Sequence, residues 1–195
     1  MAVGRTRRTA NAPMLIAVAV LVLTAAILII ASQLQPHVTT ISYSSSERMV
    51  TAEEIARSAD AVLVARFTGK TNVHWNNSTN KAWTSEETGD WPLIYRDDVF
   101  DVVRVIRGEL PSNSIVVRGL GGSADGVTVR FDGQVDWQVG KLVLLALQTR
   151  DTPLQGGTTE SAWVVVANHQ GAFLEAGSKW SNDAGVETTE SYLAR

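Results

Sequence analysis

The sequence has no cysteine among its 195 residues and only three histidines. The absence of cysteine excludes disulfides, thiolate chemistry, zinc ribbons and a lipid tether on an N-terminal cysteine. No two of His37, His74 and His169 have metal-ligand spacing, and the HExxH motif is absent. We therefore predict no cofactor, and the one metal hypothesis left pairs His74 with Asp97 or Asp98.

Basic residues are outnumbered, with 17 Lys and Arg against 20 Asp and Glu. Three of the 17, Arg5, Arg7 and Arg8, precede a long apolar run. The chain after that run therefore has 14 basic and 20 acidic residues, a formal charge of about -6. Nucleic-acid binding requires clustered Lys and Arg to neutralise phosphates, so nucleic acid is excluded as a partner.

Catalytic motifs are also absent. The glycines between Gly119 and Gly126 precede a strand-like segment, Val127–Phe131, and not the helix that a phosphate-binding loop needs. A hairpin turn explains them better. Ser123 lies beside these glycines, but GxSxG is missing and no base can be assigned to a serine nucleophile. The sequence thus indicates a protein that is not an enzyme.

One apolar run does stand out. Residues Met14–Ala31 form a stretch of 18 with Thr24 as its only polar member, and Leu34 extends it to 21 residues, 14–34. This length spans a bilayer as a single helix, and the run is apolar on all sides. A cleaved signal peptide has a shorter apolar region followed by small residues, which Ile29 and Ile30 do not supply. We predict an uncleaved transmembrane anchor in contact with membrane lipid.

The orientation of this anchor follows from its flanking charges. Arg5, Arg7 and Arg8 precede it, whereas residues 35–46 contain no Lys or Arg. Positive charge stays on the cytoplasmic side, so residues 1–13 are predicted to be a cytoplasmic tail. The rest of the chain is predicted to be extracytoplasmic, at the cell membrane.

Three segments follow the anchor in the predicted organisation: a Ser/Thr-rich spacer over 35–50, a β domain over 51–177 with an insertion at 70–92, and a C-terminal tail over 178–195. The domain begins with a capping box, Thr51 to Glu54, flanked by Val50 and Ile55 as a hydrophobic staple. A short helix is therefore predicted over Ala52–Ala59.

Strand composition dominates after this helix. In Ala61–Gly69, Leu63, Ala65 and Phe67 alternate with Arg66 and Thr68, which predicts one buried and one solvent-facing side. The other predicted strands are Leu93–Ile106, with a bulge near Val103 and Arg104, and then Ser114–Arg118, Val127–Phe131, Leu142–Leu147, Ala162–Ala167 and Ala172–Glu175.

This pattern predicts a mainly β fold with one short helix. Many short strands without alternating helices favour a small antiparallel barrel of the oligonucleotide/oligosaccharide-binding (OB) or netrin-like type. An immunoglobulin-like β-sandwich is the alternative, although the cysteine pair of antibody domains is missing.

Several segments resemble a recurring bacterial extracytoplasmic domain whose pattern is a strand ending in VLKG, a later GG, F/V-x-x-G-x-x-x-LLFL and QGxF. The matching segments here are Phe100–Gly108, Gly121–Gly122, Val139–Leu145 and Gln170–Phe173. The resemblance spans about residues 52–175 and implies an OB- or netrin-like β domain of unknown function, found on anchored or secreted proteins and beside metalloproteases. This chain differs by its polar insertion and by the lack of a protease domain within these residues.

The insertion, residues 70–92, contains Trp75, Trp83 and Trp91, which are half of the six tryptophans. They could form a recognition surface, because Trp supplies a large contact area at low entropic cost. Alternatively, the indoles pack across a long hairpin or cover the end of the barrel. A third reading places them at the membrane interface.

Three functional classes follow from these observations. The first is a non-enzymatic binding or accessory module, anchored at the envelope, that recognises a protein or a glycan. The second is a structural subunit of a membrane complex whose anchor makes the contacts. The third is a hydrolase with an unrecognised site, which would show a cleft with convergent polar groups.

Overall fold

The computed structural model describes residues 23–24, 39–44 and 48–195. The predicted cytoplasmic tail with Arg5, Arg7 and Arg8 lies outside these residues, as does the predicted anchor apart from Leu23 and Thr24. Within the described ranges, none of the helices combines the length and apolar character needed to cross a bilayer. Chain contacts separate Met1–His37 from a second compact unit, Val38–Arg195, which carries the fold described below.

The second unit is mainly β, as predicted. Its strands are β1 (Thr39–Tyr43), β2 (Ala61–Trp75), β3 (Ile94–Arg107), β4 (Ser114–Leu120), β5 (Gly122–Ala124), β6 (Val127–Phe131), β7 (Leu142–Pro153), β8 (Thr159–Val165), β9 (Ala172–Ala176), β10 (Lys179–Ser181) and β11 (Glu187–Thr188). Its helices are α1 (Ala52–Ser58), α2 (Ser85–Thr88) and α3 (Glu190–Leu193). The described part of the chain therefore has three short helices where the sequence predicted one.

Five strands close into a ring through their pairings. Strand β2 pairs with β3 and β7, β3 pairs with β4, and β7 pairs with β8, all antiparallel, while β4 and β8 close the ring in parallel. Strands β9, β10 and β11 extend the sheet outward from β7. A separate sheet has the order β1–β6–β5.

The main core lies inside the ring, because every ring strand contributes to it. Phe67 of β2 and Phe100 of β3 are directly paired and their ring centroids are 5.4 Å apart. The remaining buried members from the ring strands are Ala61, Leu63, Ala65, Ile115, Val117, Val143, Leu145, Leu147 and Val165. The predicted inward face of Leu63, Ala65 and Phe67 is confirmed.

The prediction that the other face of β2 is solvent-facing is wrong for its first half. Val62 and Val64 are buried in a second apolar cluster, against Ile55 of α1 and Leu193 of α3. The helices cover this face, so both sides of the strand are apolar there. Leu193 belongs to the predicted C-terminal tail, which is thus part of the packed unit.

The start of the unit follows the predicted capping box. Thr51 Oγ1 accepts from the Glu54 amide at 3.2 Å, and Glu54 Oε2 accepts from the Thr51 amide at 2.9 Å. The hydrogen bond from the Thr51 backbone, with a further one from Arg48, lowers the pKa of Glu54 to about 2. Helix α1 ends at Ser58, one residue before the predicted end.

The bulge predicted in β3 is confirmed. The pairing moves from Val64↔Arg104 to Ala65↔Val102, which leaves Val103 as the extra residue. The hairpin predicted at the glycines is also present: β5 and β6 are joined by Asp125 and Gly126, both with positive φ, the geometry of a two-residue type I′ turn.

Part of the predicted spacer is a strand. Residues Thr39–Tyr43 pair in parallel with Val127–Phe131, in register throughout. Ile41 and Tyr43 pack against a third cluster of apolar residues that includes Val129. The Ser/Thr content suggested a linker, but Thr, Ile and Tyr are also good strand formers, and here the apolar contact decides.

Candidate functional site

A cavity of about 420 Å³ lies between β3, β4, the end of β7 and the segment 131–137. Its walls combine apolar side chains such as Val117 and Trp137 with the charged side chains of Arg96 and Asp98. This volume falls within the range of pockets that hold small ligands, which are mostly apolar with a few polar groups. The cavity is therefore the candidate binding site.

The Asp98 carboxylate organises one wall of the cavity. Only 2% of Asp98 is exposed, and its oxygens accept from Thr71 Oγ1 at 2.6 Å, Arg96 Nε at 2.8 Å and Trp137 Nε1 at 2.7 Å. Arg96 also donates from Nη2 to the Val135 carbonyl at 2.8 Å. These bonds fix the segment 131–137 against β3, so a buried hydrogen-bond network holds the cavity wall.

Two glycines allow this segment to approach its neighbours. A Cβ at Gly133 would overlap the His169 ring, and a Cβ at Gly121 would lie 2.9 Å from Gln134 Oε1. Both glycines also have positive φ, +77° and +96°. Any residue other than glycine at these two positions would collide with His169 or Gln134, which line the cavity.

A second polar network includes Asp97 on the other face of β3, and its Arg118 and Thr152 also line the cavity. The Arg118 guanidinium donates two hydrogen bonds to Asp97, at 2.8 and 2.9 Å. It also donates to Glu160 at 2.7 Å and to Thr152 at 3.1 Å. His74 Nε2 lies 3.0 Å from Asp97 Oδ2. Asp97 and Arg118 are directly opposite in the β3–β4 pairing, so the bidentate pair follows from the register.

Three groups in and beside this second network, Asp97, Arg118 and Tyr95, have shifted pKa values. Burial alone would raise the pKa of the Asp97 carboxyl, but hydrogen bonds from Arg118 and His74 outweigh it and lower that pKa. The bond to Asp97 raises the pKa of Arg118. Burial raises the pKa of Tyr95 to about 12; its hydroxyl donates to the Pro153 carbonyl at 2.6 Å and Arg118 lies 5.0 Å from its ring centroid. These groups hold fixed charge states near neutral pH.

An aromatic rim, defined as Tyr43, Trp91 and Phe131, adjoins the cavity. Phe131 lines the cavity and stacks on Tyr43 with centroids 4.8 Å apart. The Trp91 ring meets Tyr43 edge-on at 6.5 Å and is 71% exposed. The rim thus extends from the cavity wall to a large, exposed apolar side chain.

The three tryptophans of the insertion have different environments. Trp75 and Trp83 are buried, at 2% and 8% exposure, in the cluster with Val129, and Trp75 Nε1 donates to Asp125 at 2.9 Å. Only Trp91 can contact a partner without rearrangement of the core. Trp75 packs within the long hairpin, since it pairs with Ile94 across β2 and β3, and Trp83 packs in the same apolar cluster.

The metal hypothesis predicted a contact between His74 and Asp97 or Asp98, and the contact with Asp97 is present without a set of metal ligands around it within the described ranges. His74 contacts Asp97, as considered from the sequence, but Asp98 is on the other face of β3. Among the described residues, no group of three or more His, Asp or Glu side chains could hold a metal ion. His169 lines the cavity, and its Nε2 is 3.5 Å from Asp183; His37 lies outside the described residues.

Ser123 has a local role. Its Oγ is 2.8 Å from Thr128 Oγ1, the residue opposite it in the β5–β6 hairpin. This bond links two exposed side chains across a pair of short strands, a common stabilising contact in sheets.

Sequence reasoning did not identify Arg96, Trp137, Tyr43 or Phe131 as site residues. One signal was available: Arg96 and Asp98 are two positions apart in a predicted strand, so their side chains share a face and can pair. With the polar walls engaged in their own networks, the site is suited to holding a ligand against fixed surfaces.

Comparison of the chain with protein-family models, curated proteins and solved structures gave no match in any of the three.

Proposed function

We propose that this chain is a non-enzymatic recognition module, anchored in the cell membrane by residues 14–34, which binds a protein or glycan of the cell envelope at the cavity. The observation that carries the proposal is the cavity of about 420 Å³ with an aromatic rim that ends in the exposed Trp91. A concave cavity beside an exposed aromatic side chain is typical of recognition sites.

The ring of strands supports an OB-type barrel as the finer description of the fold. Along the chain, the first to fifth ring strands are β2, β3, β4, β7 and β8. Around the ring, the order is first, second, third, fifth and fourth, and the fourth strand pairs again with the first. OB barrels are five-stranded Greek-key rings that bind ligands on their second and third strands and the adjoining loops. Here those strands are β3 and β4, which both line the cavity.

Two loops near this face reinforce the proposal. The segment 76–93 follows the first ring strand and 154–158 joins the fourth to the fifth. They contact each other through a hydrogen bond of 2.7 Å from the Gln155 amide to the Asn76 carbonyl, and one of 2.6 Å from the Gly156 amide to Asp90. The end of the insertion is thereby held against the loop between the fourth and fifth ring strands, with Trp91 on its surface.

The anchoring part of the proposal rests on the apolar run and its flanking arginines. We expect a tag at the C-terminus to be digested by protease added to intact spheroplasts, because the proposed topology places that end outside. A tag at the N-terminus is the matched control and should be protected until the membrane is lysed. Protection of the C-terminal tag in intact spheroplasts would contradict the topology.

The recognition part can be tested by crosslinking and affinity capture of the full-length tagged chain from intact cells. Replacing Trp91 by Ala is expected to reduce partner yield roughly tenfold, the effect of losing about 1.4 kcal/mol at an aromatic contact. Leu174→Ala is the control, since Leu174 is also exposed, at 51%, but lies on β9 outside the cavity lining. Equal yields from both variants would count against recognition at the rim.

A further inference from the structure

We infer that the ligand at the cavity is an uncharged carbohydrate chain, held by stacking on the aromatic rim and by hydrogen bonds to the side chains around the cavity. This inference rests on the proposed recognition function and specifies the chemistry of its ligand. It follows from the charge state of the lining residues, the geometry of the rim and the size of the cavity.

The buried charges of the site are already neutralised. Arg96 pairs with Asp98 at 2.8 Å, and Arg118 pairs with Asp97 and with Glu160. Neither guanidinium can turn to a ligand anion without leaving a buried carboxylate uncompensated, which costs several kcal/mol. The two arginines therefore form walls and do not act as anion receptors.

The remaining lining charges do not favour an anion either. Asp132, Arg150 and Asp151 line the cavity, and within the described part of the chain none of them forms an ion pair. They supply one positive and two negative charges. Phosphate, sulfate and carboxylate ligands need converging cations or backbone amides at a helix start, so an anionic ligand is disfavoured here.

The apolar parts of the site suit a sugar ring. Sugar rings present C–H faces that pack on aromatic rings, and hydroxyls at their edges that need polar partners. The aromatic rim provides rings on which the C–H faces can pack. Tyr43 and Phe131 are stacked at an interplanar angle of 12°, and Trp91 is exposed beside them. Gln134, Arg150 and Asp151 provide donors and acceptors for the hydroxyls. The cavity is at the small end of the ligand-pocket range, with room for about one or two rings.

The test uses the full-length chain in intact cells, with the photoreactive residue p-benzoylphenylalanine in place of Asp132, an exposed cavity residue. Position 132 falls in the tryptic peptide between Arg130 and Lys141, so that mass spectrometry of one short peptide identifies whatever is captured. We expect light-dependent mass additions that correspond to hexose or N-acetylhexosamine units without phosphate, sulfate or carboxylate. The same probe in place of Leu174 should give no such addition.

Combination of the probe with Trp91→Ala is expected to lower the adduct yield roughly tenfold, and Trp91→Phe should restore most of it, since Phe keeps an aromatic face. A peptide adduct, or a sugar adduct that carries acidic groups, would overturn the inference but leave the recognition function standing. No adduct at position 132, or equal adducts at 132 and 174, would overturn both.

Discussion

Replacing Asp98 by Ala is expected to lower the free energy of unfolding by about 3 to 5 kcal/mol, because it leaves the Arg96 charge without its buried partner. The same change removes the acceptor of Thr71 Oγ1 and Trp137 Nε1, which lie 2.6 and 2.7 Å from the carboxylate. Urea unfolding of the full-length chain, followed by tryptophan fluorescence, measures the loss, and Trp137 reports directly on the affected contact.

A control on the same strand separates this network from a general effect of removing an acidic residue. Asp101→Ala should change stability by no more than about 0.5 kcal/mol, since Asp101 is exposed and its side chain forms no hydrogen bond or ion pair with any described residue. The double variant Arg96→Met with Asp98→Ala should lose less than the sum of the two single variants, because no unpaired charge remains. Additive losses would show that the ion pair is not the source of the effect.

The network explains why the site could not be located from the sequence. The inward face of β2 and a hairpin turn among the glycines between Gly119 and Gly126 are local signals, and both predictions are confirmed. Trp137 lies in a segment with the composition of a turn, and its burial depends on Asp98, 39 positions earlier in the chain. The contact exists only once the ring has closed, and no local pattern encodes it.

The two ends of the unit illustrate a similar limit. Residues 39–43 appear in the sequence as part of a polar spacer, and residues 178–195 as a tail. Their order comes from distant partners: Tyr43 stacks on Phe131, and Leu193 is buried against α1 and β2. Short segments with one or two apolar side chains acquire structure from what they pack against, a property that periodicity does not report.

The segments that carry the resemblance to the extracytoplasmic domain occupy positions where the fold restricts the choice of residue. At Gly108, which has a positive φ, a Cβ would overlap the Asp60 carbonyl oxygen. The buried Gln170 side chain accepts from the Val50 amide at 2.9 Å and donates to the Arg48 carbonyl at 3.2 Å, and Phe173 is fully buried. These residues specify architecture and lie outside the cavity lining.

Gly171, in the same segment, gives the second large expected effect. A Cβ there would lie 2.8 Å from the Val166 carbonyl oxygen and 2.9 Å from that of Ala146, closer than real Cβ atoms approach. Both neighbours are backbone atoms, so relief requires movement of β7 or of the β8–β9 connection. Hydrogen bonds from the Gly171 amide to Val166 at 2.9 Å and from the Ala146 amide to Gly171 at 2.8 Å would be strained by that movement. We expect Gly171→Ala to cost about 3 kcal/mol.

Gly119→Ala is the matched control for this substitution. Gly119 lies in β4 without a positive φ, and the nearest atom to its added Cβ is the Arg96 carbonyl oxygen at 3.9 Å, an ordinary contact. Its stability should therefore stay within about 0.5 kcal/mol of the parent chain in the same urea titration. If Gly171→Ala proved as mild as Gly119→Ala, the close approach of three backbone segments at Gly171 would not be a feature of the native fold. The close approach at Gly171 joins β7 to β9. A mild effect of Gly171→Ala would therefore also mean that the QGxF-like segment has no steric requirement for glycine.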